Sequence, residues 1–287
     1  MFIRTVFPSA IGHSEVAFPD AVNDVMESGY FGYWFDSSKD FILPAEGTLS
    51  LIRNKHIVPM GMELPVEFRK DEELFQRDLL SLGKKAEYAE RIGIRKAATW
   101  IVPSHDRLSY EENFSLHVER LRKILDVLGE HGITLGLEFQ GPKSLRARKK
   151  HCFIHSLDGI FALISALERS NCGIIMDVWH WFLSGAEYFD FNSFESDDQI
   201  VAVHICDAPS GLNDLEYQDL SRKLPCSTGV LDVGTFLKGV NSTGFAGPLL
   251  VEPFYSPLEK MSFREALNAS FSSMEEAIQK RRECIGV

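Results

Sequence analysis

The sequence predicts a single (β/α)₈ barrel that occupies residues 1–287. Short apolar runs alternate with longer amphipathic segments, a pattern typical of a parallel sheet covered by helices. Eight such runs can be counted, and the length is near the roughly 250 residues that such a barrel needs. An open doubly wound sheet is the alternative, but the glycine-rich turn expected after its first strand is missing from residues 7–12.

The eight predicted strands are short and rich in β-branched, aromatic and other apolar residues. Runs of this kind, without polar alternation, indicate strands that are buried on both faces. They cover residues 2–6, 31–35, 57–62, 96–101, 133–138, 173–177, 200–205 and 248–252.

Between these strands, apolar residues recur at helical spacing. The clearest predicted helices cover residues 71–92, 110–131 and 156–169. A last amphipathic helix, at about residues 259–281, would close the outer ring. The tail from Lys280 to Val287 is expected either to fray or to dock on a neighbouring subunit.

Charge and composition disfavour several classes of partner. The net charge is −11, and basic residues cluster only at 146–150 and 280–282, so nucleic-acid binding is not expected. The run at 146–150 has two interpretations: a solvated loop, or a loop that faces substrate because it closely follows Glu138.

The sequence also favours a cytoplasmic protein without a membrane partner. The N-terminal apolar run is too short for a signal peptide, and no stretch reaches the roughly 18 apolar residues of a membrane span. The five cysteines are scattered and form no CxxC motif, which is typical of a reducing compartment.

Four consecutive strands end in a possible metal ligand. These residues are Glu138, Asp177, His204 and Glu252. Taken singly, each has an ordinary explanation as a helix cap, a buried histidine or an ion-pair partner. In a barrel, however, the four strand ends meet at one mouth, and three carboxylates with one imidazole suit Mn²⁺ or Mg²⁺.

The motifs around these residues resemble the sugar phosphate isomerase/epimerase superfamily of xylose-isomerase-like barrels. Residues 177–180 resemble its D-x-x-H segment, and residues 204–207 its H-x-x-D segment. Residues 225–232 are similar to its P-G-x-G-x-(I/L)-D loop, and residues 244–252 to its last strand. The loop departs from the pattern because Cys226 and Ser227 follow the proline.

The resemblance implies the single metal site of ketose 3-epimerases and inosose dehydratases. It implies that one divalent ion, Mn²⁺ first with Mg²⁺, Co²⁺ or Zn²⁺ as alternatives, is held by Glu138, Asp177, His204 and Glu252. The two glutamates would also act as an acid/base pair. His180 and Arg222 would contact the substrate.

The implied chemistry begins with removal of a proton alpha to a carbonyl. A divalent metal stabilises the enediolate that forms, and a carboxylate takes the proton. A second carboxylate on the opposite face can return it, which inverts the carbon and gives epimerisation of a keto sugar or polyol ketone. If only one face is used, the outcome is isomerisation or loss of a β-hydroxyl as water. Loss of water would make the protein an inosose-type or dehydroshikimate-type dehydratase.

Other residues near the predicted mouth each have two interpretations or a supporting role. Trp100 is expected to stack on a sugar or pack at the rim, and Lys143 to bind an anionic group or remain exposed. Asp207 is a candidate to orient His204. No glycine-rich phosphate loop is evident, which favours an unphosphorylated sugar.

Two other classes and the oligomeric state complete the expectations. The related endonuclease IV type needs more histidine ligands and a basic face. This chain has one histidine, His204, among the four predicted ligands, and its net charge is −11. A non-catalytic sugar-binding barrel would bind metal without exchanging substrate protons with solvent. Barrels of this kind are often dimers or tetramers, so a homodimer or homotetramer is expected.

Overall fold

The computed structural model describes residues 1–186 and 188–283, and eight parallel strands form a closed barrel within them. We number these strands in chain order. They are β1 (Ile3–Val6), β2 (Gly32–Phe35), β3 (Val58–Glu63), β4 (Lys96–Ile101), β5 (Thr134–Phe139), β6 (Cys172–Asp177), β7 (Ile200–Ile205) and β8 (Pro248–Val251).

The barrel closes because β1 pairs with both β2 and β8. Thr5 lies opposite Gly32 on one side, and Ile3 lies opposite Pro248 on the other. Each of the eight predicted strands is present within two residues of its expected bounds. The predicted barrel is therefore confirmed.

The helices surround this barrel. They are α1 (Phe18–Glu27), α2 (Ala45–Lys55), α3 (Glu72–Ile92), α4 (Tyr110–Glu130), α5 (Lys143–Arg146), α6 (Leu157–Leu167), α7 (Val178–Leu183), α8 (Val233–Ser242), α9 (Ser256–Glu259) and α10 (Phe263–Glu283). Three short 3₁₀ segments lie at Pro8–Ile11, Tyr188–Ser193 and Asp197–Gln199.

Local capping sets the ends of the long helices. At the start of α4, the Ser109 side chain accepts from the Glu112 amide, and the Glu112 side chain accepts from the Ser109 amide. The predicted final helix is divided, because Ser262 forms a similar reciprocal pair with Glu265 and starts α10 separately from α9. Of the predicted tail, residues 284–287 lie outside the described residues.

The barrel interior is filled by a cluster of buried side chains. Its largest member is Trp34, which lies at a register irregularity between β2 and β3. Gly61 gives the indole room, since a Cβ there would lie 2.2 Å from the ring. The remaining buried members of this cluster are Met60, Ala98, Ile175, Val201, Ala202 and Leu250.

A small antiparallel pair of strands, Ser104–His105 with His151–Cys152, links the loops that follow β4 and β5.

Among the described residues, no helix combines the length and apolar character needed to cross a membrane.

Candidate metal centre and active site

The structure brings the four predicted ligands together at the mouth of the barrel. Glu138, Asp177 and His204 lie at the ends of β5, β6 and β7, and Glu252 directly follows β8. One ligand atom from each side chain can be chosen so that all four lie within 4.8 Å of one another. Ligand atoms about 2.2 Å from a shared ion lie at most about 4.4 Å apart, so a small contraction would allow all four to bind it.

Unpaired atoms inside this cluster support a place for a cation. His204 Nδ1 lies 3.1 Å from Glu138 Oε1 and 3.5 Å from Glu252 Oε2. Neither Nδ1 nor Glu138 Oε1 forms a well-directed hydrogen bond within the described residues, although both atoms are buried. Because buried polar atoms normally have partners, the donor set fits a divalent ion that accepts both atoms as ligands.

Arg222 supplies positive charge next to the cluster. Its Nη1 donates to Asp177 Oδ2 at 2.8 Å and to Glu252 Oε2 at 2.9 Å. Its Nη2 donates to Asp219 Oδ1 at 2.8 Å, and only 1% of the side chain is exposed. One guanidinium thus faces three carboxylates, and with Glu138 the site keeps an excess of negative charge that a divalent cation would offset.

These contacts perturb the pKa values of the ligands. Burial raises the pKa of Glu138. Burial also acts to raise the pKa of Asp177, but the charges of Arg222 and His180 outweigh it and hold the pKa at about 2. Burial acts to lower the pKa of His204, yet the neighbouring Glu252 and Glu138 raise it well above its usual value.

His180 lies behind the ligands rather than on the cavity wall. Its Nε2 is 3.2 Å from Arg222 Nη2 and 3.7 Å from both Glu138 Oε2 and Asp219 Oδ1. It is 1% exposed and is not among the residues that line the cavity. Its predicted contact with substrate remains a prediction, while its Nε2 accepts a hydrogen bond from Arg222 and so helps to fix that guanidinium.

Asp207 organises a loop instead of orienting His204. Its two carboxylate oxygens accept hydrogen bonds from four backbone amides, those of Ala208, Thr228, Gly229 and Leu231. The loop is held although Cys226 occupies the usual glycine position. Cys226 has a φ of 66°, so the turn keeps the left-handed backbone that favours glycine.

A cavity of about 710 Å³ opens over the cluster. Glu138, His204, Arg222 and Glu252 line its floor. Trp100, one of the predicted substrate contacts, lines its wall with 40% of its surface exposed. The loop after β7 also contributes to the wall, through Gln218, Asp219 and Leu220.

One face of the Trp100 indole is partly covered by a cation. The Arg69 guanidinium lies 4.2 Å from the centre of the indole ring and donates to the Trp100 carbonyl at 2.9 Å. The indole is thereby fixed in orientation, which favours a role as a flat apolar wall.

The structure does not bring Lys143 to the cavity. Its Nζ pairs with Asp214 Oδ2 at 2.5 Å on the surface, and Lys143 is absent from the cavity wall. The basic run at 146–150 does reach the cavity, through Arg148 and Lys149. Of the two interpretations of this run, the structure favours the loop that faces substrate.

Glu63 is a cavity residue that the sequence analysis missed. It ends β3 and lines the cavity, and its Oε1 accepts a hydrogen bond of 2.9 Å from Trp34 Nε1. Burial raises the pKa of Glu63 to about 8, which leaves it mainly protonated at neutral pH. The signal was present, because β3 ends in a carboxylate just as β6 does, and β5 carries one directly before its last residue.

Comparison with known proteins identifies the family. A family model described as the xylose isomerase-like TIM barrel matches residues 51–277, most of the chain. The chain belongs to the xylose isomerase-like TIM barrel family.

Individual relatives are distant in sequence but similar over most of their length. The inosose isomerase of Halalkalibacterium halodurans is 20% identical over 232 residues, which cover 79% of this chain and 78% of that protein. A xylose isomerase domain protein from Alicyclobacillus acidocaldarius has 21% identity and a TM-score of 0.86, covering 98% of this chain and 100% of that one.

Two further solved structures share the fold. The IOLI protein with a bound zinc atom has 18% identity and a TM-score of 0.82, covering 97% of this chain and 99% of that chain. An L-ribulose 3-epimerase has 13% identity and a TM-score of 0.73, covering 100% of this chain and 97% of that chain.

Proposed function

We propose that this chain is a divalent-metal-dependent isomerase or epimerase that acts on a keto sugar or a polyol ketone. One observation carries the proposal: Glu138 and Glu252 approach His204 from two different strands, inside a four-residue cluster that fits one metal ion. The names of two similar proteins, an inosose isomerase and an L-ribulose 3-epimerase, support this class of reaction.

The two glutamates would divide the proton transfer between them. When bound, the metal would polarise the carbonyl of the substrate and stabilise negative charge. Glu138 and Glu252 belong to the outermost of four neighbouring strands, so they can reach a carbon held between them from different sides. One would take the proton alpha to the carbonyl and the other would return it.

The remaining cavity residues would hold the substrate. The donors of Arg222 are engaged by Asp177, Asp219, Glu252 and His180, so it would act on the substrate through its fixed positive charge beside Glu252. Trp100 offers a flat surface on which a sugar ring can stack. Mn²⁺ is the proposed ion because three of the four ligands are carboxylates, and Mg²⁺, Co²⁺ or Zn²⁺ are alternatives.

The proposal is tested by metal analysis and by proton exchange. The purified protein should contain or take up one divalent ion. With Mn²⁺ added, it should catalyse the incorporation of deuterium from D₂O at the carbon alpha to the carbonyl of at least one ketose in a panel of ketoses. Glu138→Gln and Glu252→Gln should each abolish incorporation, because each change removes one member of the acid/base pair and also one of the four proposed metal ligands. Glu168→Gln, at an exposed position paired with Arg122, is the matched control and should retain it.

The metal analysis and the deuterium exchange can each contradict the proposal. A protein that neither contains nor takes up a divalent ion would overturn the metal-dependent reaction. Full incorporation by both glutamine variants would overturn the assignment of the acid/base pair, even if metal is bound.

A carbon–oxygen lyase is the second candidate, and Glu63 favours it. A carboxyl group that is protonated at neutral pH can donate a proton to a departing hydroxyl. In that case Glu63→Gln would abolish dehydration while leaving deuterium exchange at the alpha carbon intact. Formation of only stereoisomers or aldose–ketose isomers, with no unsaturated or deoxy product, would exclude the lyase for that substrate.

A further inference from the structure

The cavity carries opposite charges at its floor and at its rim. Carboxylates dominate the floor, whereas Arg148 and Lys149 line the rim. Residues 139–157 contain no aspartate or glutamate, and five lysines and arginines lie between positions 143 and 150. In a chain with a net charge of −11, this is a local concentration of positive charge beside the proposed active site.

The rim segment is held in place on both sides. Ser144 Oγ donates to the Tyr217 carbonyl at 2.6 Å, and Ser104 Oγ donates to the Leu145 carbonyl at 3.0 Å. After the basic run, His151–Cys152 pairs with Ser104–His105. Because the backbone is fixed, binding a ligand at the rim would cost less ordering than binding to a free loop.

The positive charge at the rim is largely available. Among the described residues, no carboxylate lies within ion-pair distance of Arg148, and Lys149 approaches Asp106 only at 3.8 Å. His105 responds to the same field: its pKa is lowered first by burial and then by the charges of Lys149 and Arg107. Lys143, in contrast, is already paired with Asp214.

We propose that the substrate carries an anionic group, a carboxylate or a phosphate, which Arg148 and Lys149 bind while its ketone lies at the metal cluster. This rests on the proposed function, and where the anion is a phosphate it replaces the sequence-based expectation of an unphosphorylated sugar. Arginine presents a planar set of donors that matches both anions, and a neighbouring lysine adds charge. Repulsion from the carboxylates on the floor would orient the anionic end towards the rim.

The test measures binding to the Mn²⁺-loaded full chain by calorimetry at low salt. The ligands are D-fructose, its 6-phosphate and 5-keto-D-gluconate, which separate a neutral ketose, a phosphate and a carboxylate. The double variant Arg148→Glu/Lys149→Glu should weaken binding of at least one anion about tenfold or more and leave the neutral ketose unchanged. Lys150→Glu is the matched control, since it changes charge in the same run outside the cavity wall, and it should have little effect.

Deuterium exchange on the same ligands separates this proposal from the proposed function. Preferential binding of an anion that is lost in the double variant, with no exchange on any ligand, would support the rim site while contradicting the isomerase. Equal affinity for neutral and anionic ligands, no binding of either anion, or an equal loss in Lys150→Glu would overturn the rim site. Exchange on a neutral ketose would leave the proposed function standing in each of those cases.

Discussion

Replacing Arg222 by glutamine should strongly destabilise the metal-free protein. The guanidinium is 1% exposed and donates to three carboxylates, those of Asp177, Asp219 and Glu252. Glutamine keeps one polar donor group but removes the charge. The three carboxylates would then remain buried together without their cation.

The magnitude follows from the cost of breaking a buried ion pair. Removing one partner of such a pair costs about 3–5 kcal/mol, because the other charge stays buried without compensation. A divalent ion bound by Glu138, Asp177, His204 and Glu252 would supply part of the missing positive charge. The loss of unfolding free energy should therefore be about 3–5 kcal/mol in EDTA and clearly smaller in saturating Mn²⁺.

Urea unfolding at pH 7, in EDTA and in Mn²⁺, measures both values. The matched control is Arg120→Gln, since Arg120 is also buried and pairs with Glu72, away from the cavity. Its loss of unfolding free energy should be the same with and without metal. A loss below about 1 kcal/mol for Arg222→Gln in EDTA, or a loss that Mn²⁺ leaves unchanged, would refute the reasoning.

Three further predictions concern other parts of the chain. Burial lowers the pKa of His117 to about 4, so the neutral ring contributes stability that is complete above pH 6.5 and is lost as the pH falls towards 4. Between pH 7 and pH 4, the free energy of unfolding of the wild type should therefore fall by about 3 kcal/mol more than that of His117→Gln, as measured by urea titrations. Gly141→Ala should lower the free energy of unfolding by about 1–3 kcal/mol, because a Cβ there would lie 2.2 Å from a carbonyl of α7. Gly83→Ala is the control, because Gly83 has open space around it, and this change should be neutral or stabilising in the same assay. Trp34→Phe should raise the pKa of Glu63 further above about 8, since the lost hydrogen bond favours the carboxylate, and carboxyl NMR titration of the metal-free protein would measure this.

Each of these three has an outcome that contradicts it. Identical pH profiles for the wild type and His117→Gln would show that this ring does not affect acid stability. Equal effects of the two glycine substitutions would mean that the close approach to α7 is relieved without cost. An unchanged or lower pKa of Glu63 in Trp34→Phe would show that the indole bond does not favour its charged form.

The fold and four of the site residues could be predicted because both follow from local pattern. Strand lengths and helical spacing can be read along the chain, and the barrel topology brings the ends of β5 to β8 together without any knowledge of loops. The same rule applied to β3 would have identified Glu63. Its importance was not evident, because burial and the bond from Trp34 appear only when the barrel is folded.

Loop contributions could not be predicted in the same way. Sequence resemblance indicated Arg222, but not that its guanidinium would lie between Asp177 and Glu252. Asp207 was expected to orient His204, yet its oxygens are used by amides of a loop about 20 residues further along the chain. Such contacts depend on how a loop returns to the barrel, which has no local signature.

This difference between strands and loops bears on how the proposed enzyme would select its substrate. The candidate metal ligands lie at or directly after strand ends, where neighbouring strands restrict their movement. The residues that would meet the rest of the substrate, among them Arg148 and Arg222, lie on connecting segments. Rim substitutions should thus alter which ketone binds while leaving metal content unchanged, whereas Asp177→Asn, at a strand end, should lower metal affinity for every substrate alike.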